Sequence, residues 1–63
     1  CNIDALIGRI GTVIEPIEVD GYGYVKVDGD EWKAVSNSTE SISKGQKVEI
    51  ISRESIIVTV KPV

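Results

Sequence analysis

The sequence predicts an all-β fold, a small barrel of five strands, and three observations carry that expectation. Ile and Val, with 10 and 9 copies, dominate the apolar residues, whereas Leu occurs once and Met and Phe are absent. Branching at Cβ stiffens χ1 and suits a pleated surface better than a helix. Turn signals recur roughly every 8 to 15 residues, the rhythm of a sandwich or barrel. Between them, apolar and polar residues alternate with the period of two that turns one face of a strand inward.

The chain is short. Its 63 residues make one domain, residues 1–63, near the lower limit for independent folding, where only about 60% of the unfolded surface becomes buried. Small domains often add disulfides or a structural metal. With one cysteine and no histidine, neither an internal disulfide nor a tetrahedral zinc site is open to this one. A compact apolar core must carry the fold. No apolar run reaches the roughly 18 residues that a bilayer-crossing helix needs. The short start, with Asp4 in it, does not read as a signal peptide. Because Met is absent altogether, the chain reads as an excised or processed part of a longer protein.

The net charge of −3 bears on partners. Barrels that bind nucleic acid present a clustered basic face with aromatic platforms for stacking. Here the Lys and Arg residues are spread along the chain, with a larger number of Asp and Glu among them. A phosphate-tracking groove is disfavoured, and so is a polybasic membrane patch.

The first extended segment runs from about Leu6 to Glu15 and stops at Pro16. Gly8 and Gly11 weaken a flat ladder and suit a sharp bend, which a first strand needs if it is to pair with two neighbours. Alternatively, Gly8 is a loop residue ahead of a shorter strand. Pro16 to Gly21 reads as a loop, with Asp20-Gly21 as its punctuation. The second strand, Tyr22 to Asp28, sets Val25 and Val27 against Tyr24, Lys26 and Asp28. Asp28-Gly29-Asp30 then makes a tight hairpin turn. In the third strand, Glu31 to Ser36, Trp32 and Ala34 share a face. Alternation puts Trp32 in the core with Val25 and Val27.

Asn37 to Lys44 is a Ser-rich polar connection ended by Gly45, and reads as a loop in which Ile42 is the main apolar residue. The fourth strand, Gln46 to Ser52, alternates Val48 and Ile50 with Lys47 and Glu49, after which Arg53-Glu54 turns the chain. The last strand, Ser55 to Lys61, places Ile56, Val58 and Val60 on one face and Ile57 and Thr59 on the other. A strand apolar on both faces is central or covered. A meander followed by a connected hairpin fits the OB fold, a five-stranded Greek-key β-barrel. An SH3-like barrel is the competing topology.

Candidate chemistry is sparse. Without His, the commonest general base is missing. Cys1 is terminal, has no His to activate it, and reads as a cloning or processing boundary. Ser43 and Lys44 are adjacent, and neighbours in an extended chain point opposite ways, which argues against a Ser–Lys dyad. Asp28, Asp30 and Glu31 match no complete calcium loop, and the hairpin turn explains them. Gly21-Tyr22-Gly23 precedes no helix whose N-terminus could hold a phosphate. The expectation is therefore no catalytic residue, no cofactor and no metal. What remains is surface. With Val25 and Val27 inward, Tyr24 stands outward beside Lys26. Tyr22, Tyr24, Lys26 and Lys33 form the candidate protein-binding surface, aromatic residues being enriched at interfaces. Singly exposed aromatics also occur as plain structural filler.

The order of these features resembles a known family. Leu6-Ile7-Gly8-Arg9-Ile10-Gly11-Thr12-Val13 is followed by Gly23-Tyr24-Val25-Lys26-Val27-Asp28-Gly29-Asp30-Glu31-Trp32-Lys33-Ala34-Val35-Ser36. Then come Ile42-Ser43-Lys44-Gly45-Gln46-Lys47-Val48-Glu49-Ile50-Ile51 and Ile56-Ile57-Val58-Thr59-Val60-Lys61-Pro62. Over nearly the whole chain this is similar to the C-terminal soluble domain of the NfeD family. The shared features are paired glycines, a valine-rich strand, an acidic-glycine turn, Trp-x-Ala-x-Ser, Ile-x-x-Gly-x-x-Val and a closing strand ending in Pro. Two loops depart from that pattern. Pro16 to Gly23 is longer than the usual Pro-x-Gly link, and Arg53-Glu54-Ser55 lacks the usual glycine of the last hairpin.

The resemblance implies an OB-type module tethered by transmembrane helices that precede it and lie outside this chain, with the domain itself soluble and on the cytoplasmic side. It implies protein–protein interaction with a stomatin- or flotillin-like membrane protein at membrane microdomains. No reaction is implied for this part; longer family members carry a Ser–Lys protease domain upstream. Trp32 and Ala34, which match the family motif, are implied to be core residues. Two other readings stand beside this one. A barrel of this type can bind single-stranded nucleic acid or oligosaccharide through strands two and three. A biotinyl or lipoyl carrier would instead need a lysine at a hairpin tip, where this chain has Asp28-Gly29-Asp30.

Overall fold

A computed structural model describes residues 5–63. Five strands follow in chain order: β1 (Ile10–Glu15), β2 (Gly23–Val27), β3 (Asp30–Ser36), β4 (Lys47–Glu54) and β5 (Ile57–Pro62). They close into a barrel in the order β1-β2-β3-β5-β4, with β1 also paired to β4. Every pair is antiparallel except β3–β5, which runs parallel from Lys33↔Ile57 to Ser36↔Val60. That crossover is the Greek-key signature of the OB topology and decides against the SH3-like alternative.

Each strand forms where alternation demanded it, and the cores of all five match the expected segments. β2 alternates without a break, with Gly23, Val25 and Val27 buried and Tyr24 and Lys26 exposed. Its hairpin to β3 is a two-residue turn, with φ of 52° at Asp28 and 89° at Gly29. Two successive positive φ values define a type I′ turn, whose twist matches that of the strands it joins.

The first strand is shorter than the sequence suggested. Residues 5–8 form turns, and Gly8 adopts a φ of +88° ahead of β1. The loop reading of Gly8 holds, and the bending role falls to Gly11 alone. β1 pairs with β4 over Ile10–Thr12 and with β2 over Thr12–Glu15, so it passes from one neighbour to the other around Thr12. A Cβ on Gly11 would lie 2.6 Å from the Val27 side chain and 2.9 Å from the Lys26 carbonyl oxygen. Closing the barrel brings β1 so close to β2 that only glycine fits.

The last hairpin also differs. The sequence placed the turn at Arg53-Glu54, but β4 continues to Glu54 and the chain turns at Ser55 and Ile56. Ser55 takes a φ of 59°, a conformation that glycine adopts more readily. Ile56, expected inward beside Val58 and Val60, stands at this tip and is 68% exposed. A two-residue turn removes its residues from the strand's alternation, which is why the period-two reading failed there.

Among the described residues, ten buried apolar side chains make the core: Val13, Ile17, Val25, Val27, Ala34, Ile42, Val48, Ile50, Val58 and Val60. Trp32 and Leu6 are partly buried and pack against it. Trp32 therefore shares the inward face as expected, but at the margin of the core. Two core members come from loops. Ile17, after β1, and Ile42, between β3 and β4, exchange both backbone hydrogen bonds at 2.9 Å and are fully buried. This isolated bridge plugs the barrel at the end where β1 finishes and β2 begins. The Ser-rich connection leading to it is folded by its own hydroxyls. The Ser38 amide donates to Ser36 Oγ at 2.8 Å and the Glu40 amide to Ser38 Oγ at 3.0 Å, turn-forming bonds of the kind short polar side chains favour.

Candidate functional site

The outer face of β2 and β3 gathers the expected surface residues. Because Val25 and Val27 point inward, Tyr24 and Lys26 must point out, and the β2–β3 register places Tyr24 opposite Lys33 and Lys26 opposite Glu31. The β3–β5 and β4–β5 registers extend the row containing Tyr24 through Ile57 to Glu54. Tyr22, just before β2, is 55% exposed, and Lys33 holds its ammonium 4.4 Å from the centre of the Tyr22 ring. A cation over an aromatic face is attracted by the ring's quadrupole. The structure thus brings Tyr22, Tyr24 and Lys33 into one cluster, with Lys26 two residues along the same face.

Beside this cluster lies a depression of about 320 Å³ lined by Tyr24, Glu31, Trp32, Lys33 and Ile56. Two lining residues were not anticipated as surface: Trp32 was read as core and Ile56 as inward, whereas Glu31 was expected on the outward face of the third strand with Lys33. The Arg53 guanidinium sits 5.3 Å from the Trp32 ring centre. The Trp32 indole Nε1 is buried and has no hydrogen-bond acceptor, which is costly for a donor removed from water. The missing glycine of the last hairpin was the available hint, since it pointed to Ser55 as the turn and so to Ile56 as its tip.

Glu31, the acidic residue that lines the depression, forms no ion pair among the described residues. Among the described residues, Asp28 pairs with Arg9 at 3.4 Å and Glu49 with Lys61 at 3.8 Å, while Asp30, Glu31 and Glu54 form no such pair. The remaining sequence candidates do not assemble with this face. Ser43 lies in a turn that its own carbonyl closes with the Gln46 amide. Asp28 serves the hairpin. Cys1 lies outside the described residues. Among the described residues no group of three or more His, Cys, Asp or Glu is placed to hold a metal ion, and no helix is long and apolar enough to cross a membrane.

Comparison with known proteins follows the same lines. The family model described as the NfeD-like C-terminal, partner-binding domain matches residues 3–62. Of solved structures, the C-terminal domain of stomatin operon partner protein 1510-C from Pyrococcus horikoshii is 36% identical, with a TM-score of 0.84, covering 92% of this chain and 88% of that one. The soluble domain of the NfeD protein YuaF from Bacillus subtilis is 35% identical, with a TM-score of 0.85, covering 94% of this chain and 75% of that one. A membrane-bound protease of Pyrococcus horikoshii is 39% identical over 57 residues, which is 90% of this chain. The chain spans less than half the length of the curated relatives it matches, 42% of one and 12% of this protease.

Proposed function

Because this chain belongs to the NfeD family through its C-terminal, partner-binding domain, we propose that it is a non-catalytic protein-interaction module of a membrane-anchored protein, acting with a stomatin- or flotillin-type membrane protein. The family match over residues 3–62 carries this reading. The name of the Pyrococcus relative, a stomatin operon partner, favours the stomatin type. Residues 1–63 are the excised soluble part of that longer protein. Tyr22, Tyr24, Lys26 and Lys33 form the surface that meets the partner. In its support, Tyr22 and Tyr24 are exposed on one side of the barrel, and tyrosines are enriched at interfaces and among their energetic anchors.

The test is recovery of the partner from membranes. Full-length protein should co-purify a stomatin-type protein, and deletion of residues 5–63 should abolish that recovery. A deletion that leaves recovery unchanged would sink the proposal.

A further inference from the structure

The loop from Pro16 to Tyr22 joins β1 to β2, at the place where the family pattern has a shorter Pro-x-Gly link. Its added length is not slack. Ile17 is fully buried and exchanges both backbone hydrogen bonds with Ile42. The Gly21 amide donates to the Glu18 carbonyl at 3.2 Å, and Lys33 holds the Tyr22 ring from 4.4 Å. With Ile17 inward, Glu18 and Asp20 are exposed, as are Val19 at 46% and Tyr22 at 55%. A loop fixed before it meets a partner gives up little freedom on binding. Tyr22 also belongs to the cluster with Tyr24 and Lys33, so the loop continues that surface toward the plugged end of the barrel.

Charge on this loop is one-sided. From Ile10 to Val25 the chain carries Glu15, Glu18 and Asp20 and no Lys or Arg. Across the Ile17–Ile42 bridge the neighbouring connection adds Glu40 and Lys44. With Lys33 included, four carboxylates stand against two ammonium groups, and none of the four forms an ion pair among the described residues. Lys47, the next cation, donates to Thr12 Oγ1 at 2.8 Å on the β1–β4 wall. This end of the barrel therefore repels nucleic acid, an anionic bilayer and a second copy meeting it loop to loop, and it attracts a basic protein surface. We infer that the β1–β2 loop is the specificity-determining part of the docking surface. Val19 and Tyr22 enter an apolar site on the partner protein, and Glu18 and Asp20 meet Lys or Arg residues that rim it. This inference rests on the partner-binding reading and names the element that selects the partner and the chemistry it selects.

Binding kinetics of the full-length protein with a purified stomatin-type protein from the same organism test it. The association rate of the parent should fall as salt rises from about 0.02 M to about 0.15 M. At about 0.15 M, where exposed charges act over about 8 Å, Glu18→Lys with Asp20→Lys should slow association at least about fivefold. Asp30→Lys with Glu54→Lys makes the same change of charge at the opposite end of the barrel and should alter the rate less than about twofold. Val19→Ser should leave association unchanged and raise the dissociation rate at least about threefold. All these variants keep Ile17 and the core, and their melting temperatures should match that of the parent. A parent rate that rises with salt, a loop reversal no slower than the reversal at the opposite end, or a Val19→Ser dissociation rate equal to the parent's would overturn the inference while the interaction module stands. If the parent itself does not bind the stomatin-type protein, the reading beneath fails and this inference falls with it.

Discussion

Gly23 is the position at which a single methyl group should do most damage. It opens β2, and a Cβ there would lie 2.5 Å from the carbonyl oxygens of both Glu15 and Pro16 and 2.6 Å from Ile17 Cγ1. A carbon meets a carbonyl oxygen comfortably at about 3.3–3.6 Å, so each oxygen must retreat by roughly 0.8 Å or more. Both belong to backbone held by the β1–β2 ladder and by the Ile17–Ile42 bridge, and Ile17 cannot move without opening the plug. Overpacking costs about 1–3 kcal/mol where side chains yield, and with backbone on two sides Gly23→Ala should reach about 3 kcal/mol. A chain of this size has a total stability of about 3–9 kcal/mol, so a third or more would be lost. The melting temperature should fall by about 12–24 °C, and the urea midpoint by about 3 M for a slope near 1 kcal/mol/M. Gly21→Ala is the control. Its Cβ would meet only Glu18 Cβ, at 3.4 Å, and the change should stay within about 0.5 kcal/mol. If Gly23→Ala also melts within about 0.5 kcal/mol of the parent, the close approach of Gly23 to the backbone of Glu15 and Pro16 is wrong.

Other expectations follow from the hairpin, the plug and the surface charges. Ser55→Gly relieves a positive φ worth about 1 kcal/mol, partly offset by the greater freedom of glycine in the unfolded chain. The net gain should be about 0.5 kcal/mol, read as a small rise in melting temperature; a fall would contradict the turn assignment. Ile42→Ala empties half of the buried plug and should cost about 2–4 kcal/mol in urea unfolding, far more than a loop residue normally does. Trp32→Phe removes an indole N–H that has no acceptor, so its loss of apolar contact is compensated and the cost should stay below about 1 kcal/mol. The Arg9–Asp28 and Lys61–Glu49 pairs are exposed, and 0.5 M salt should change the melting temperature by no more than about 3 °C through them.

The parts of this fold that were legible in the sequence are those governed by period two. Val25 and Val27, Val48 and Ile50, and Val58 and Val60 all face inward as their alternation required. Asp28-Gly29 announced its own turn chemically. What could not be read came from contacts distant in sequence. Nothing local marks Ile17 and Ile42 as core residues, because each lies in a mainly polar loop, Ile17 with an exposed Val19 two residues on, and each is buried by meeting the other and the barrel core. Ile56 was misplaced because its strand was extended back through a turn that carries serine rather than glycine. The candidate surface was legible as far as Tyr22, Tyr24, Lys26 and Lys33 facing outward. The depression beside them was not, since it depends on where β5 starts relative to β3, a register that alternation does not specify.

The order of strands around the barrel has a consequence for how this chain folds. β5 is last in sequence yet lies between β3 and β4, so the final strand is the one that joins the meander to the hairpin. Without it, β3 has a bare edge and β4 is held only by its pairing with β1 at Ile10–Thr12 and by the backbone bonds of Ile50 to Gly8 and Arg9. Folding must then wait for the parallel docking of residues 57–60 onto residues 33–36, a slow class of event because its loop-closure cost comes before any reward. A chain cut short of Ile57 should gain almost none of the native stability, because β3 and β4 would both lose their pairing with β5.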